Sequence, residues 1–560
     1  MTESIGAPLW WQGGVIYQVY PRSFQDANGD GVGDLAGITQ RLEYLSGTLG
    51  IDAIWLSPFY PSPMADFGYD VSDYTAVDPI FGDLETFDEL VREAHRRYVK
   101  VIVDLVPNHT SDQHAWFLES SSSRQNPKRN WYFWADPGPG GSPPNNWLSL
   151  FGGSAWEWHP ATGQYYLHSF LKEQPDLNWR NPQVKEAMFA AVRFWLERGV
   201  DGFRIDVAHF IMKDPLLRDN PLKSEAGLTM HKSLGEYDTQ VHLYDQGHAD
   251  IHPLYREFRQ LLDAYSQDEP RVSVGEIHLF DWPQWAVYYG EKLDEIHMPF
   301  NYQLLGVSWE AGAVRQIVDG LEAALPPGAW PNYVLGNHDE VRVASRIGPA
   351  AARLAAMLLL TLRGTPTLYY GDEIGMTNAE IPPEAQQDPW GRRAPGLGRD
   401  GCRTPMQWDA SRHAGFSPPG APATWLPVGE EARTVNVERQ LAEPDSLLNL
   451  YRQLLAYRKT SPGLQGGDYQ PVEGVPDECF VFLRRLGGGA PGTPSLLVAL
   501  NFSPQAMDLS LPELGAGEVV LSTGLDRSGE IDLAKIHLRG DEGLLIELHL
   551  HHTEITEKNL

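Results

Sequence analysis

Cysteine is almost absent: the 560 residues include two, Cys402 and Cys479. Thiols so few cannot staple a chain of this length, and their spacing suits neither a zinc site nor a redox pair. Reduced thiols and a cytoplasmic location are the expectation. Positive charge is short as well, with 44 Lys and Arg against 74 Asp and Glu and a formal net charge of −30. No basic run of five or more residues occurs, and so acidic a surface repels phosphate backbones and anionic lipid headgroups, which argues against nucleic-acid and membrane partners. Long hydrophobic runs are missing too. The most apolar stretch, 354–370, contains Arg363, Gly364 and Pro366; too short to span a bilayer, it reads as a buried helix followed by a buried strand. The N-terminal MTESIGAPLWWQGG has neither the basic start nor the apolar stretch of a signal peptide.

What is present is an ordinary globular balance, 42% hydrophobic and 21% charged, which allows large buried cores. Short β-rich runs recur at 14–20, 53–56, 99–105, 202–205, 271–275, 295–298, 333–335 and 366–370. Between them lie segments such as 84–97 and 182–198, with apolar residues at helical spacing. Eight alternating β and α units predict an α/β protein with a (β/α)8 TIM barrel. About 95 residues separate the third and fourth strands, far more than a crossover helix needs. That gap predicts a subdomain inserted at 109–178, rich in Trp, Pro, Gly, Asn and Ser, between barrel segments 1–108 and 179–465. After an amphipathic helix at 445–459 the texture changes. Alternating strands at 479–484, 495–500 and 543–550 predict an all-β C-terminal domain, a β-sandwich, over 466–560.

Barrel enzymes keep their sites at the C-terminal ends of the strands, and here those ends are rich in carboxylates. Strand three ends in Asp104 and continues to Asn108 and His109, strand four ends in Arg204 and Asp206, strand five in Glu276 and His278, and strand seven in His338 and Asp339. Carboxylates brought to one mouth cannot all ionise freely, so one moves towards the protonated form while another stays anionic. Glycosidic cleavage needs that split: an acid for the departing oxygen and a carboxylate for the anomeric carbon, roughly 5–5.5 Å apart when configuration is retained.

The runs DLVPNHT (104–110), GFRIDVAHF (202–210), GEIH (275–278) and LGNHDE (335–340) resemble the four signature regions of glycoside hydrolase family 13, the α-amylase family. GVIYQVYPRSF (14–24), QPDLNW (174–179) and GTPTLYYGDEIG (364–375) extend the resemblance in the right order, and QPDLNW with GRDGCRTPMQW (398–408) points to the oligo-1,6-glucosidase and α-glucosidase branch. The resemblance implies Asp206 as nucleophile, Glu276 as acid/base and Asp339 as the acid that stabilises the transition state. It implies Asp66, Tyr69, His109, His338 and Arg399 around the non-reducing glucose, with Tyr69 as a stacking face. Arg204, two residues before Asp206, is placed to hold the nucleophile anionic. Asp104 and Asn108 read as scaffold, and Phe151 and Phe170 as walls of the pocket. A pocket closed by Asp66 and Arg399 implies exo-action on short neutral α-glucosides by a monomer or small homo-oligomer. In that branch Val after the nucleophile accompanies α-1,6 activity, and Ala or Thr an α-1,4 preference; Val207 leans towards isomaltose-type substrates, while Ala208-His209 departs from the usual Ile-Asn.

Two other readings stay open: a transglycosylating relative such as a sucrose or trehalose isomerase or glucosyltransferase, and a catalytically silent barrel of the amino-acid-transporter heavy-chain type. Separately, Asp26-Ala-Asn28-Gly-Asp30-Gly-Val32-Gly-Asp34 sets oxygen donors at alternate positions between glycines, the chemistry of a hard-cation loop without the twelfth-position Glu of an EF-hand. The branch resembled implies Ca²⁺ there, or Mg²⁺, on the Asp26, Asn28, Asp30 and Asp34 side chains and the Val32 carbonyl.

Overall fold

A computed structural model describes residues 8–549, except 226, 228, 230, 231, 268, 301, 394, 395 and 487–493. Eight parallel strands form the central sheet: β1 (Ile16–Val19), β2 (Ala53–Leu56), β3 (Lys100–Leu105), β4 (Gly202–Ile205), β5 (Val272–Glu276), β6 (Met298–Phe300), β7 (Asn332–Val334) and β8 (Thr365–Tyr369). They pair in the order β7-β8-β1-β2-β3-β4-β5-β6, and β6 and β7 lie side by side to close the ring almost completely. This is the expected TIM barrel.

The two-residue period of a strand sorts its side chains between two cores. Ile16, Trp55, Ile102, Val274 and Phe300 fill the barrel interior. Tyr17, Ile54, Val101, Val103 and Phe203 face outward against helices such as Leu84–Arg96 and Pro182–Glu197. Those helices start where the chain supplies caps: Asp83 accepts from the Thr86 N–H, and Asn181 from the Gln183 N–H ahead of Pro182. The inward parity that carries Ile102 and Val274 also carries Asp104, Arg204 and Glu276, so the strand ends deliver charged groups into the barrel mouth.

One strand differs from expectation. The ladder of β6 pairs Met298–Phe300 with Val274, Gly275 and Glu276, whereas the sequence pattern suggests 295–298. The N–H groups of Glu295 and Ile296 donate instead to Tyr289 and Tyr288 carbonyls, so those residues close a turn and cannot pair with β5.

Between β3 and β4 the chain forms a helix (Ala115–Ser122) and a three-stranded antiparallel sheet of Trp134–Ala135, Trp156–His159 and Gln164–Leu167. Bridges His109↔Asp176 and Tyr132↔Leu177 tie its outgoing and returning arms together. The 354–370 stretch forms a helix (Pro349–Thr361) and β8, both buried. Beyond the helix Leu447–Thr460 lies a six-stranded antiparallel sheet containing Cys479–Arg485, Leu496–Asn501 and Gly543–Leu548; the last residue of the expected 543–550 strand is outside the described residues. Phe480, Phe482, Val498 and Leu500 on one face join the barrel core, while Val481, Leu483, Leu497 and Ala499 on the other meet a two-stranded sheet, Met507–Leu509 with Ile536–Leu538. Both cysteines are free and buried. Among the described residues no helix is long and apolar enough to cross a membrane.

Candidate active site

Arg204 organises the barrel mouth. Fully buried at the end of β4, it donates through Nη1 to Asp206 at 2.6 Å and Asp104 at 3.1 Å, and through Nη2 to Glu276 at 2.5 Å. Glu276 takes three further donors: the Val207 N–H at 2.9 Å, Tyr302 OH at 2.5 Å and His278 Nε2 at 2.8 Å. Val207 has φ +36°, a strained conformation for a β-branched residue, costing on the order of 1–3 kcal/mol. The turn that stores this strain is the one that aims its N–H at Glu276.

A second charged cluster closes the floor. Arg399 binds Asp66 at 2.6 Å, Asp388 at 2.8 Å and Asp339 at 3.0 Å, and Arg403 reaches Asp339 at 2.8 Å. Tyr69 stacks on His338 at 5.3 Å, its hydroxyl 2.7 Å from His338 Nε2 and donating to Asp104 at 3.2 Å. The Gln18 amide faces His338 Nδ1 at 2.7 Å, which leaves the imidazole proton on Nε2, towards Tyr69. Phe151, Phe170, Val207 and Trp390 form an apolar wall. Together with the floor residues they bound a cavity with about 610 Å³ of empty space including its open mouth.

Burial opposes every charge here, and the partners decide which survive. Asp206 is pushed well above the usual carboxylate range by burial and by the neighbouring Glu276 and Asp104, against the pull of Arg204. Glu276, equally buried, is held well below it because Arg204, His278 and Tyr302 converge on it. The two carboxyls share Arg204 and titrate as one unit rather than separately. Burial also works against Asp339, but His338, Arg399 and Arg403 outweigh it and hold the carboxyl well below its ordinary value. Burial pushes His338 itself down to about 3, so at neutral pH the two arginines are the cations that act. Burial lowers His109 to about 4, leaving it a neutral donor to the Tyr69 carbonyl at 3.1 Å.

Residues 18–467 match the family description "Alpha amylase, catalytic domain". The chain belongs to the α-amylase family. Among curated relatives within reach of this α-amylase-family chain, a probable alpha-glucosidase of Rhizobium meliloti (strain 1021) is 45% identical over 518 residues, covering 90% of this chain and 91% of the relative. An oligo-1,6-glucosidase of Heyndrickxia coagulans is 39% identical over 544 residues, covering 90% and 94%. A crystal structure of an alpha-glucosyl transfer enzyme superposes with a TM-score of 0.90 at 44% identity, covering 97% of this chain and all of that one. The protein is therefore a glycoside hydrolase of family 13 with α-glucosidase and oligo-1,6-glucosidase homologues.

In this α-amylase-family barrel Asp66, Tyr69, His109, Phe151, Phe170, Asp206, Glu276, Asp339 and Arg399 all line one cavity. Arg204 and His338 sit directly behind the lining, 1% and 0% exposed. Asp104 and Asn108 are buried beneath the site, Asn108 accepting from Lys213. Sequence reasoning missed Asp388, Trp390, Lys232 and Glu340. Asp388 precedes and Trp390 lies in a short helix, Pro389–Arg393, in the long connection after β8, where no periodicity marks them. Glu340 closes the quoted LGNHDE and Gln174 opens QPDLNW; Gln174 donates to Asp66 at 3.2 Å, so both motifs carried the signal.

The acidic loop lies away from this cavity. Its residues are hard oxygen donors, but Asp26 accepts from the Gly29 and Gly31 N–H groups, Asn28 from Asp30, Asp30 from Val32, and Asp34 from Ala27 and Gly37. Among the described residues no group of three or more His, Cys, Asp or Glu side chains converges as metal ligands. The donor chemistry suits Ca²⁺ or Mg²⁺, and the arrangement is a turn closed by its own amides.

Proposed function

We propose that the protein is a retaining, exo-acting α-glucosidase that removes glucose from the non-reducing end of short α-1,6- or α-1,4-linked glucosides. The observation that carries this reading is the pocket itself: Arg399, clamped by Asp66 and Asp388, closes one end, while Asp206 and Glu276 share one guanidinium at its middle. Two carboxylates on neighbouring nitrogens of one guanidinium support the close pair that retention uses.

In this reading Asp206 attacks the anomeric carbon while the glycosidic C–O bond breaks and its oxygen takes a proton from Glu276. Asp339, fixed by two arginines, stabilises the positive charge that develops on the sugar ring. Glu276 then removes a proton from water, whose oxygen displaces Asp206, which restores the Asp206 carboxylate and the protonated Glu276. The two groups titrate as one unit, and kcat/KM falls on the alkaline side as their shared proton is lost.

The test is hydrolysis of a chromogenic α-glucoside followed by NMR of the first sugar released. We expect α-glucose from the wild type and none from Asp206→Ala; β-glucose first, or equal rates, overturns the reading. Transfer to a second sugar in place of water is the competing outcome, supported by the 44% identity to an alpha-glucosyl transfer enzyme. Product analysis on sucrose, maltose and isomaltose separates the two. A bound Ca²⁺ in the 26–34 loop is also proposed, on the loop's oxygen donors alone. If it binds, EDTA lowers Tm and Asp30→Ala abolishes that response; an unchanged Tm removes the ion from the account.

A further inference from the structure

The cavity wall is uneven. At the floor, Asp66, Tyr69 and Arg399 are 5–7% exposed. At the rim, Lys232 and Glu340 keep 23% and 12% of their side-chain surface, and both line the cavity. Lys232 comes from the long connection after β4, while Glu340 follows Asp339 in the connection after β7. The Lys232 ammonium donates to Glu340 Oε1 at 2.7 Å and stands 5.0 Å from the centre of the Trp390 ring. Trp390, from the connection after β8, packs at 4.9 Å against Phe151 of the inserted segment. An ion pair thus crosses the rim on top of an aromatic wall built from two other connections.

A partly exposed ion pair adds little to stability, and this one joins two loops that the wall already supports. Its position gives it another use. A glucose held at the closed floor directs its anomeric carbon to Asp206 and Glu276, so whatever is bonded to that carbon projects towards the rim. There Lys232 supplies N–H donors and Glu340 carboxylate acceptors, the complementary pair needed to grip adjacent hydroxyls of a second sugar. A glucoside with an apolar leaving group offers nothing to either.

We propose that Lys232 and Glu340 together recognise the leaving sugar, and the incoming sugar in transfer, through hydrogen bonds to its hydroxyls. This rests on the glucosidase reading above and adds what selects the second ring. The pair makes a sugar a better leaving group and acceptor than its reactivity alone provides, and it favours glucosyl transfer over hydrolysis when sugar is abundant.

The experiment compares Lys232→Met and Glu340→Leu with the wild type on maltose, isomaltose and p-nitrophenyl α-glucoside. We expect kcat/KM on the disaccharides to fall about tenfold further than on the aryl glucoside. The ratio of transfer to hydrolysis at high maltose falls with it. Lys232→Arg, which keeps the donors, restores most of the disaccharide preference, and matching Tm values exclude misfolding. Equal losses on all three substrates, or none, overturn the proposal and leave the glucosidase reading standing. A wild type inactive on all three overturns both.

Discussion

A single guanidinium, Arg204, faces three carboxylates, and one positive charge cannot offset three buried negative ones. The chemistry of each side chain therefore depends on its neighbours. Asp206→Ala and Glu276→Gln should each lower kcat/KM on a chromogenic α-glucoside by several orders of magnitude with Tm nearly unchanged, because the nucleophile and acid roles proposed for them act as a unit. Retention of most activity in either variant refutes the assignment. Val207 lines the cavity and holds Glu276 through its N–H. Val207→Thr keeps a β-branched residue at that strained position, so the turn survives while the surface facing the second sugar gains a hydroxyl. The isomaltose-to-maltose rate ratio should drop; an unchanged ratio shows that this side chain does not set linkage.

The connections between elements matter as much as the strands. Lys213, after β4, is fully buried, its ammonium paired with Asp176 at 2.7 Å and donating to Asn108 and to the Phe210 carbonyl at 2.7 Å. Burial lowers its pKa, opposed by Asp176. Asp176 returns the inserted segment to the barrel and accepts from Ser169, and Asn108 adjoins His109 in the cavity. One lysine thus ties two connections together beneath the sugar site, its own and both arms of the inserted segment. Lys213→Met leaves Asp176 buried without its cation, a change that costs about 3–5 kcal/mol, measurable as a drop in the urea midpoint. Only the β3–β4 gap stood out in the sequence, because its length is excessive. The contribution of the connection after β8, which supplies Asp388, Trp390 and Arg399, was readable only at Arg399, where a motif marked it.

Across the whole molecule buried acids and buried imidazoles pull stability in opposite directions with pH. His109 and His114, pushed down to about 4 by burial, and His209 and His338, pushed to about 3, are neutral when folded. Their stabilisation is present above an unfolded pKa of about 6.5 and is lost as pH falls towards those values. Asp70 and Asp372, raised by burial to about 6 and about 7, contribute stability that is full below about pH 3.9 and is lost as pH rises through 6 to 7. The Arg399 cation holds Asp388 down to about 2 against burial, which adds stability lost in acid. Tm should pass through a broad maximum near pH 6–7 and drop steeply below about pH 4. Asp372→Asn removes an acid-side gain, so its Tm should fall more steeply than the wild type's between pH 7 and 5. A parallel Tm curve for the variant contradicts the buried-acid account.

The alternation of apolar runs determined the barrel, because a two-residue or 3.6-residue period records which face of an element is buried. The carboxylates at the strand ends were legible for the same reason: the inward parity that buries Ile102 and Val274 brings Asp104 and Glu276 to the mouth. The exact limits of β6 were not, since its hydrogen-bond partners are chosen by the preceding turn rather than by apolar pattern. The −30 charge spoke against polyanions but said nothing of which acids are ionised. That was decided only in three dimensions, where Arg204, His278, Tyr302 and the Val207 N–H, from different stretches of chain, converge on Glu276 and hold it well below the usual carboxylate range. Protonation depends on distance and burial between residues far apart in the chain, and no local pattern encodes either.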